Sequence, residues 1–139
     1  MILVDLNVIL DVMQQREPQY RASAATLDHL LLQSEKAWIP AHAVTTIHYL
    51  VARYSTRQRA DKSVEWLISN FSVASVGLAQ LRRAQTLKFK DFEDAVVVAA
   101  AESAGCTLIV TRNIEDFRHS SMPARTPEEF LLTLDDFIQ

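Results

Sequence analysis

The chain has 139 residues, is 49% hydrophobic and carries a formal net charge of −3. That length predicts one compact domain, residues 1–139, with enough apolar material for a core, and the net charge excludes a protein that coats nucleic acid by bulk electrostatics. The lone Cys106, the acids Asp5 and Asp11 inside the N-terminal apolar stretch, and the lack of any run of ~20 apolar residues predict a cytoplasmic protein with no disulfide, signal peptide or membrane helix.

In chain order, Ile2-Leu3-Val4 is a short apolar run ending abruptly in Asp5, which predicts a buried strand. A short helix is predicted from Asn7 to about Gln14. Glu17-Pro18 marks the next start, since proline suits a first helical position, and Tyr20 to Ser34 has helical spacing. Ala37-Trp38-Ile39 reads as a second strand, ended by Pro40. His42 to Tyr54 and Arg57 to Ser69 read as helices, and Phe71 to Val76 as a third strand. Leu78 to Leu87 is helical. Asp91 to Ala104 contains an unbroken apolar run whose length and alanine content favour a buried helix over a strand, with Gly105 as its stop. Thr107 to Thr111 is a strand, and Pro127 opens a last helix. Strands alternating with helices predict an α/β protein, a three-layer α/β/α sandwich around a mainly parallel sheet.

In open parallel sheets, ligands bind outside the carboxyl ends of the strands. Asp5 and Asn7 follow the first strand there. Thr111, Arg112, Asn113 and Asp116 follow a later one, and Asp91-Phe92-Glu93-Asp94 opens the apolar helix. At about 100° per residue, Asp91 and Asp94 lie about 60° apart and share a face, whereas Glu93 is expected to face elsewhere. Asp91 serves either as a helix cap or at the edge of the site, and Asn113 either caps the next short helix or belongs to the site. Two carboxylates ~5 Å apart repel by roughly 3 kcal/mol at an effective dielectric near 20, so such a cluster calls for a cation or a raised pKa. Oxygen-only ligands favour Mg²⁺ or Mn²⁺, ions that support attack on a phosphodiester, while no cysteine or histidine pair has zinc spacing.

The series Val4-Asp5-Leu6-Asn7, Lys90-Asp91-Phe92-Glu93-Asp94-Ala95 and Ile109-Val110-Thr111-Arg112-Asn113-Ile114-Glu115-Asp116-Phe117, closed by Thr126-Pro127-Glu128-Glu129-Phe130-Leu131, resembles the PIN domain across essentially the whole chain. The resemblance implies a Mg²⁺- or Mn²⁺-dependent endoribonuclease. Its small single-domain members are commonly VapC-like toxins of type II toxin–antitoxin systems, often homodimers, blocked by a cognate antitoxin. By that resemblance Asp5 and Asp94 match metal-binding, catalytic aspartates, and Asn113 or Asp116 matches the last acidic position. The family usually has a glutamate on the helix after the second strand. Here His48 is expected roughly at that place, either as a packed or exposed structural histidine or as a ligand for metal or phosphate, with Asp91 as a compensating ligand. A catalytically degenerate module that binds RNA or antitoxin is the alternative. An aspartyl-phosphate phosphotransferase or receiver domain is a more distant one, disfavoured because Asn7 stands where Asp-x-Asp chemistry needs an acid and no suitable lysine follows a later strand.

Two basic segments stand out, Arg53, Arg57, Arg59 and Lys62, and Arg82, Arg83, Lys88 and Lys90; Arg112 lies inside the third motif. Lys88, Lys90 and Arg112 are candidate RNA contacts beside the carboxylates. The competing reading of either segment is a solvated helix face.

Overall fold

A computed structural model describes residues 1–32 and 37–138, with side chains through 134. Its strands are β1 (Ile2–Val4), β2 (Ala37–Pro40), β3 (Ser72–Ala74), β4 (Leu108–Val110) and β5 (Ala124–Arg125). Its helices are α1 (Leu6–Met13), α2 (Tyr20–Leu32), α3 (Ala41–Tyr54), α4 (Arg57–Asn70), α5 (Leu78–Leu87), α6 (Phe92–Ala104) and α7 (Pro127–Ile138), with a 3₁₀ turn at Ile114–Phe117. The strands form one five-stranded sheet in the order β3-β2-β1-β4-β5, and every pairing is parallel.

Side-chain alternation along the central strands divides the core between the two faces of the sheet. Val4 and Val110 pack with Val8, Ile9, Leu27, Leu30, Ile47 and Phe130, so α1, α2, α3 and α7 cover one face. Leu3 and Ile109 point the other way, into Val97, Val98, Ala101 and Phe117, so α6 covers the opposite face, with α5 packed on α6. This is the expected three-layer sandwich. Residues Ala95 to Ala101 of α6 are all buried, as suits a helix apolar all round. Its end is fixed by Gly105 at φ +81°, a left-handed position that a Cβ would strain, followed by a 2.9 Å bond from the Cys106 N–H to the Ala101 carbonyl.

Several sequence expectations shift. The second helix begins at Tyr20 rather than at Pro18, which follows a cis peptide bond, and its expected end at Ser34 lies outside the described residues. β3 is confined to Ser72–Ala74, because the buried Phe71 still closes α4 through its N–H to Leu67. β5 was not expected at all. Among the described residues no helix is long and apolar enough to cross a membrane.

Candidate active site

β1 and β4 are adjacent and parallel, so their carboxyl ends bring Asp5 and Thr111 side by side. The Asp5 N–H continues the ladder to the Val110 carbonyl at 2.9 Å. The buried Asp5 carboxylate accepts from the Leu6 N–H at 2.8 Å on Oδ1, and from Thr111 Oγ1 at 2.8 Å and Asn7 Nδ2 at 3.3 Å on Oδ2. Asn7 in turn accepts from the Arg112 N–H at 3.3 Å, and Thr111 Oγ1 accepts from the Asn113 N–H at 3.1 Å. Burial raises the Asp5 pKa and the charge of Glu93 adds to the rise, while the bonds from Thr111 and Leu6 and the charge of Arg112 oppose it.

Asp94 enters from the first turn of α6. Its carboxyl is pushed up to about 7, by burial first and then by the charges of Asp91, Asp5, Asp116 and Glu93. Four acids from three separate parts of the chain therefore act on one carboxyl. Asp91 is also the helix cap, accepting from the Glu93 N–H at 2.9 Å and the Asp94 N–H at 3.4 Å. Asp116 sits exposed in the 3₁₀ turn. Its backbone N–H bonds to the Asn113 carbonyl at 3.0 Å, and the Asn113 side chain makes no capping bond.

A cleft of about 750 Å³ is lined by Lys88, Lys90, Asp91, Asp94, Asp116 and His119. Lys88, in a left-handed conformation at φ +55°, ends α5 and turns the chain across the cleft.

The donor set suits a hard divalent cation, since it consists of carboxylate oxygens whose mutual repulsion a cation relieves. Among the described residues, no three acidic, histidine or cysteine side chains yet converge on one point at ligand distance.

The sequence profile of the PIN domain family matches residues 1–115. The chain belongs to the PIN domain family. It is 25% identical over 134 residues to ribonuclease VapC1 of Aquifex aeolicus, an alignment covering 93% of this chain and 92% of that one. FitAcB from Neisseria gonorrhoeae superposes with a TM-score of 0.72 at 19% identity, covering 92% of this chain and 99% of that one. VapBC2 from Rickettsia felis, solved on a DNA fragment from its promoter, gives 0.70 at 12% identity, covering 91% and 98%. These structures share the fold.

Within this PIN domain, two of the residues singled out from the sequence are engaged by neighbours other than the carboxylate cluster. His48 does not join the carboxylates. It faces α4, where its Nε2 lies 2.9 Å from Asp61 Oδ1. Arg112 places its Nε 2.9 Å from Oδ2 of the fully buried Asp11 while its side chain stays partly exposed. Two further residues lie near the cluster. Glu93, expected to face elsewhere, acts on both Asp5 and Asp94. His42, in the first turn of α3, brings its Nε2 to 3.9 Å from Glu93 Oε1, and burial pushes its pKa down. The signal for His42 was its place just past the carboxyl end of β2, the criterion that singled out Asp5.

Proposed function

We propose that this PIN domain, taken as one domain over residues 1–139, is a cytoplasmic Mg²⁺- or Mn²⁺-dependent endoribonuclease. We further propose that it is the toxin of a type II toxin–antitoxin pair. The observation that carries the nuclease reading is a cleft in which Asp91, Asp94 and Asp116 stand together with Lys88 and Lys90, with the charges of Asp5 and Glu93 also reaching Asp94. Similarity to a ribonuclease VapC1 and to VapBC-type structures supports the choice of substrate and biological role. It also supports a cognate antitoxin as partner, and the PIN-domain resemblance adds a homodimer.

Asp5, Asp94 and Asp116 are assigned to metal binding and catalysis, with Asp91 at the edge of the same set. These carboxylates would hold a divalent ion, which would supply Lewis-acid activation of water and of the phosphodiester. Asn7 and Thr111 hold the Asp5 carboxylate in place, and Asn113 braces Thr111 through its backbone. Lys88 and Lys90 hold the flanking phosphates by charge.

The degenerate alternative rested on a missing glutamate. α3 contributes no carboxylate, yet Glu93 supplies a further negative charge from α6, which favours the active reading. The test is cleavage of labelled RNA by purified, antitoxin-free protein. Cutting in Mg²⁺ or Mn²⁺ that stops with chelator and returns when metal is restored supports the nuclease. A folded protein that cuts none of a broad RNA panel in either metal overturns it.

A further inference from the structure

The α3–α4 hairpin carries a surface that the cleft does not use. α4 packs chiefly against α3, leaving the turn between them at the periphery of the molecule. Between Arg53 and Lys62 the chain has four cations, Arg53, Arg57, Arg59 and Lys62, and one acid, Asp61. All four cations are exposed, and Asp61 is held by His48. This local excess of positive charge stands against a net charge of −3 for the whole chain.

Two large aromatics share the surface, Tyr49 at 59% and Tyr54 at 71% exposure. The Arg53 guanidinium carbon lies 5.6 Å from the Tyr54 ring centroid, within cation–π range, and Arg53 also donates to the Tyr49 hydroxyl at 3.3 Å. Arg59 donates to Ser55 Oγ at 3.1 Å. Beside them runs a groove of about 460 Å³ floored by Met13 and Val51 and edged by Tyr54, Arg59 and Lys62. Clustered cations next to an exposed aromatic face are what a nucleic-acid strand needs, charge for its phosphates and a platform for a base.

We propose that the tip of the α3–α4 hairpin is a second RNA-holding surface, with Arg59 and Lys62 on phosphates and Tyr54 stacked on a base. This rests on the ribonuclease reading, since the strand held here is the substrate of the cleft. His42, at the site, and Tyr54 are twelve residues apart on α3. At 1.5 Å per residue that is about 18 Å, so only a strand extending well beyond the cleft reaches the tip.

The test compares the wild type with Arg59→Glu/Lys62→Glu and, separately, Tyr54→Ala. Affinity is read by fluorescence anisotropy on a labelled RNA long enough to span both surfaces, in chelator so that cutting is silent. Circular dichroism and Tm confirm that these surface variants fold. The double variant is expected to bind at least about tenfold more weakly, and the slope of log K against log salt to shrink by about 1.4, at about 0.7 for each phosphate no longer neutralised. Tyr54→Ala is expected to bind about 5- to 100-fold more weakly with the salt slope unchanged. In metal, KM on the long RNA rises, while cleavage of an oligonucleotide too short to leave the cleft is unaltered. Unchanged affinity and slope in both variants overturn the proposal, and do so equally if the same variants lose a protein partner, which makes the groove a protein-docking surface. Weakened binding in a wild type that cuts nothing retains the surface and removes the ribonuclease.

Discussion

Arg112 Nε lies 2.9 Å from Oδ2 of Asp11, a carboxylate with 0% exposure at the heart of α1. Ser23 Oγ on α2 donates to the same oxygen at 3.1 Å, and among the described residues Asp11 Oδ1 has no hydrogen-bond partner. Burial pushes the Asp11 carboxyl up, and Arg112 and Ser23 pull it back. The pair clamps the exit of β4 onto α1, and the residue before Arg112 is Thr111, which holds Asp5. One charged pair thus ties α1 to the segment that follows Thr111.

Removing one partner leaves a charge stranded. Arg112→Met is expected to destabilise the protein by about 2–5 kcal/mol, and Asp11→Asn combined with Arg112→Met to recover much of that loss. Urea unfolding of the two variants and the wild type measures both. A loss below about 1 kcal/mol would put the pair in the class of surface ion pairs.

Thr111→Val keeps the shape of the side chain and removes one bond to Asp5 and one from the Asn113 N–H. The expected loss is about 1–3 kcal/mol of stability. Because the Thr111 bond lowers the Asp5 pKa, its removal raises that pKa further. The acid limb of the rate–pH profile should therefore move to higher pH. A limb that stays in place would show that ionisation of Asp5 does not govern it.

Asp94 carries a pH signature in the metal-free protein. Its folded pKa, about 7, lies above the ordinary aspartate value of 3.8. Such a group favours the folded state when protonated, and that contribution is lost as pH rises from about 4 through 7. Asp94→Asn should raise Tm at pH 8 by about 3–8 °C, after screening is allowed for, with the gain vanishing near pH 4. Mg²⁺ or Mn²⁺ should raise the Tm of the wild type and have less effect on the variant. Equal Tm values at pH 8 would contradict the crowding of charge on Asp94.

Asp91 separates capping from electrostatics. Asp91→Asn keeps an acceptor for the Glu93 and Asp94 N–H groups but removes the charge, so the Asp94 pKa should fall, as seen by side-chain carboxyl NMR titration. Asp91→Ala should bring the same fall and also cost about 1 kcal/mol of stability through removal of the cap. A pKa unmoved in both variants would reduce Asp91 to a cap.

The parts legible in sequence were those fixed by local pattern. Ile2-Leu3-Val4 and Leu108-Ile109-Val110 are continuous apolar runs because both strands lie inside the sheet, and the polar residue after each run marks the carboxyl edge. Gly105 ended α6 as expected, since the αL turn there favours glycine. β5 escaped because Ala124–Arg125 is a two-residue edge strand with no apolar run to read. Glu93 does not line the cleft, yet its charge still acts on Asp5 and Asp94, an effect that angular spacing on a helical wheel does not register. Of the two readings open for His48, the contact with Asp61 fits the structural one, and it is His42 that approaches Glu93. Six residues, or about 600° of turn, separate the two, so they point about 120° apart, and only His42 stands just past the carboxyl end of β2.

The most direct measurement is single-turnover cleavage of one labelled RNA in Mn²⁺ by the wild type, Asp5→Asn, Asp94→Asn and His48→Ala, each purified identically. A nuclease centred on Asp5 and Asp94 cuts as wild type and as His48→Ala, and loses about 10²-fold or more in rate in each aspartate variant. Equal cutting by wild type and Asp94→Asn would contradict the assignment of the reaction to this site.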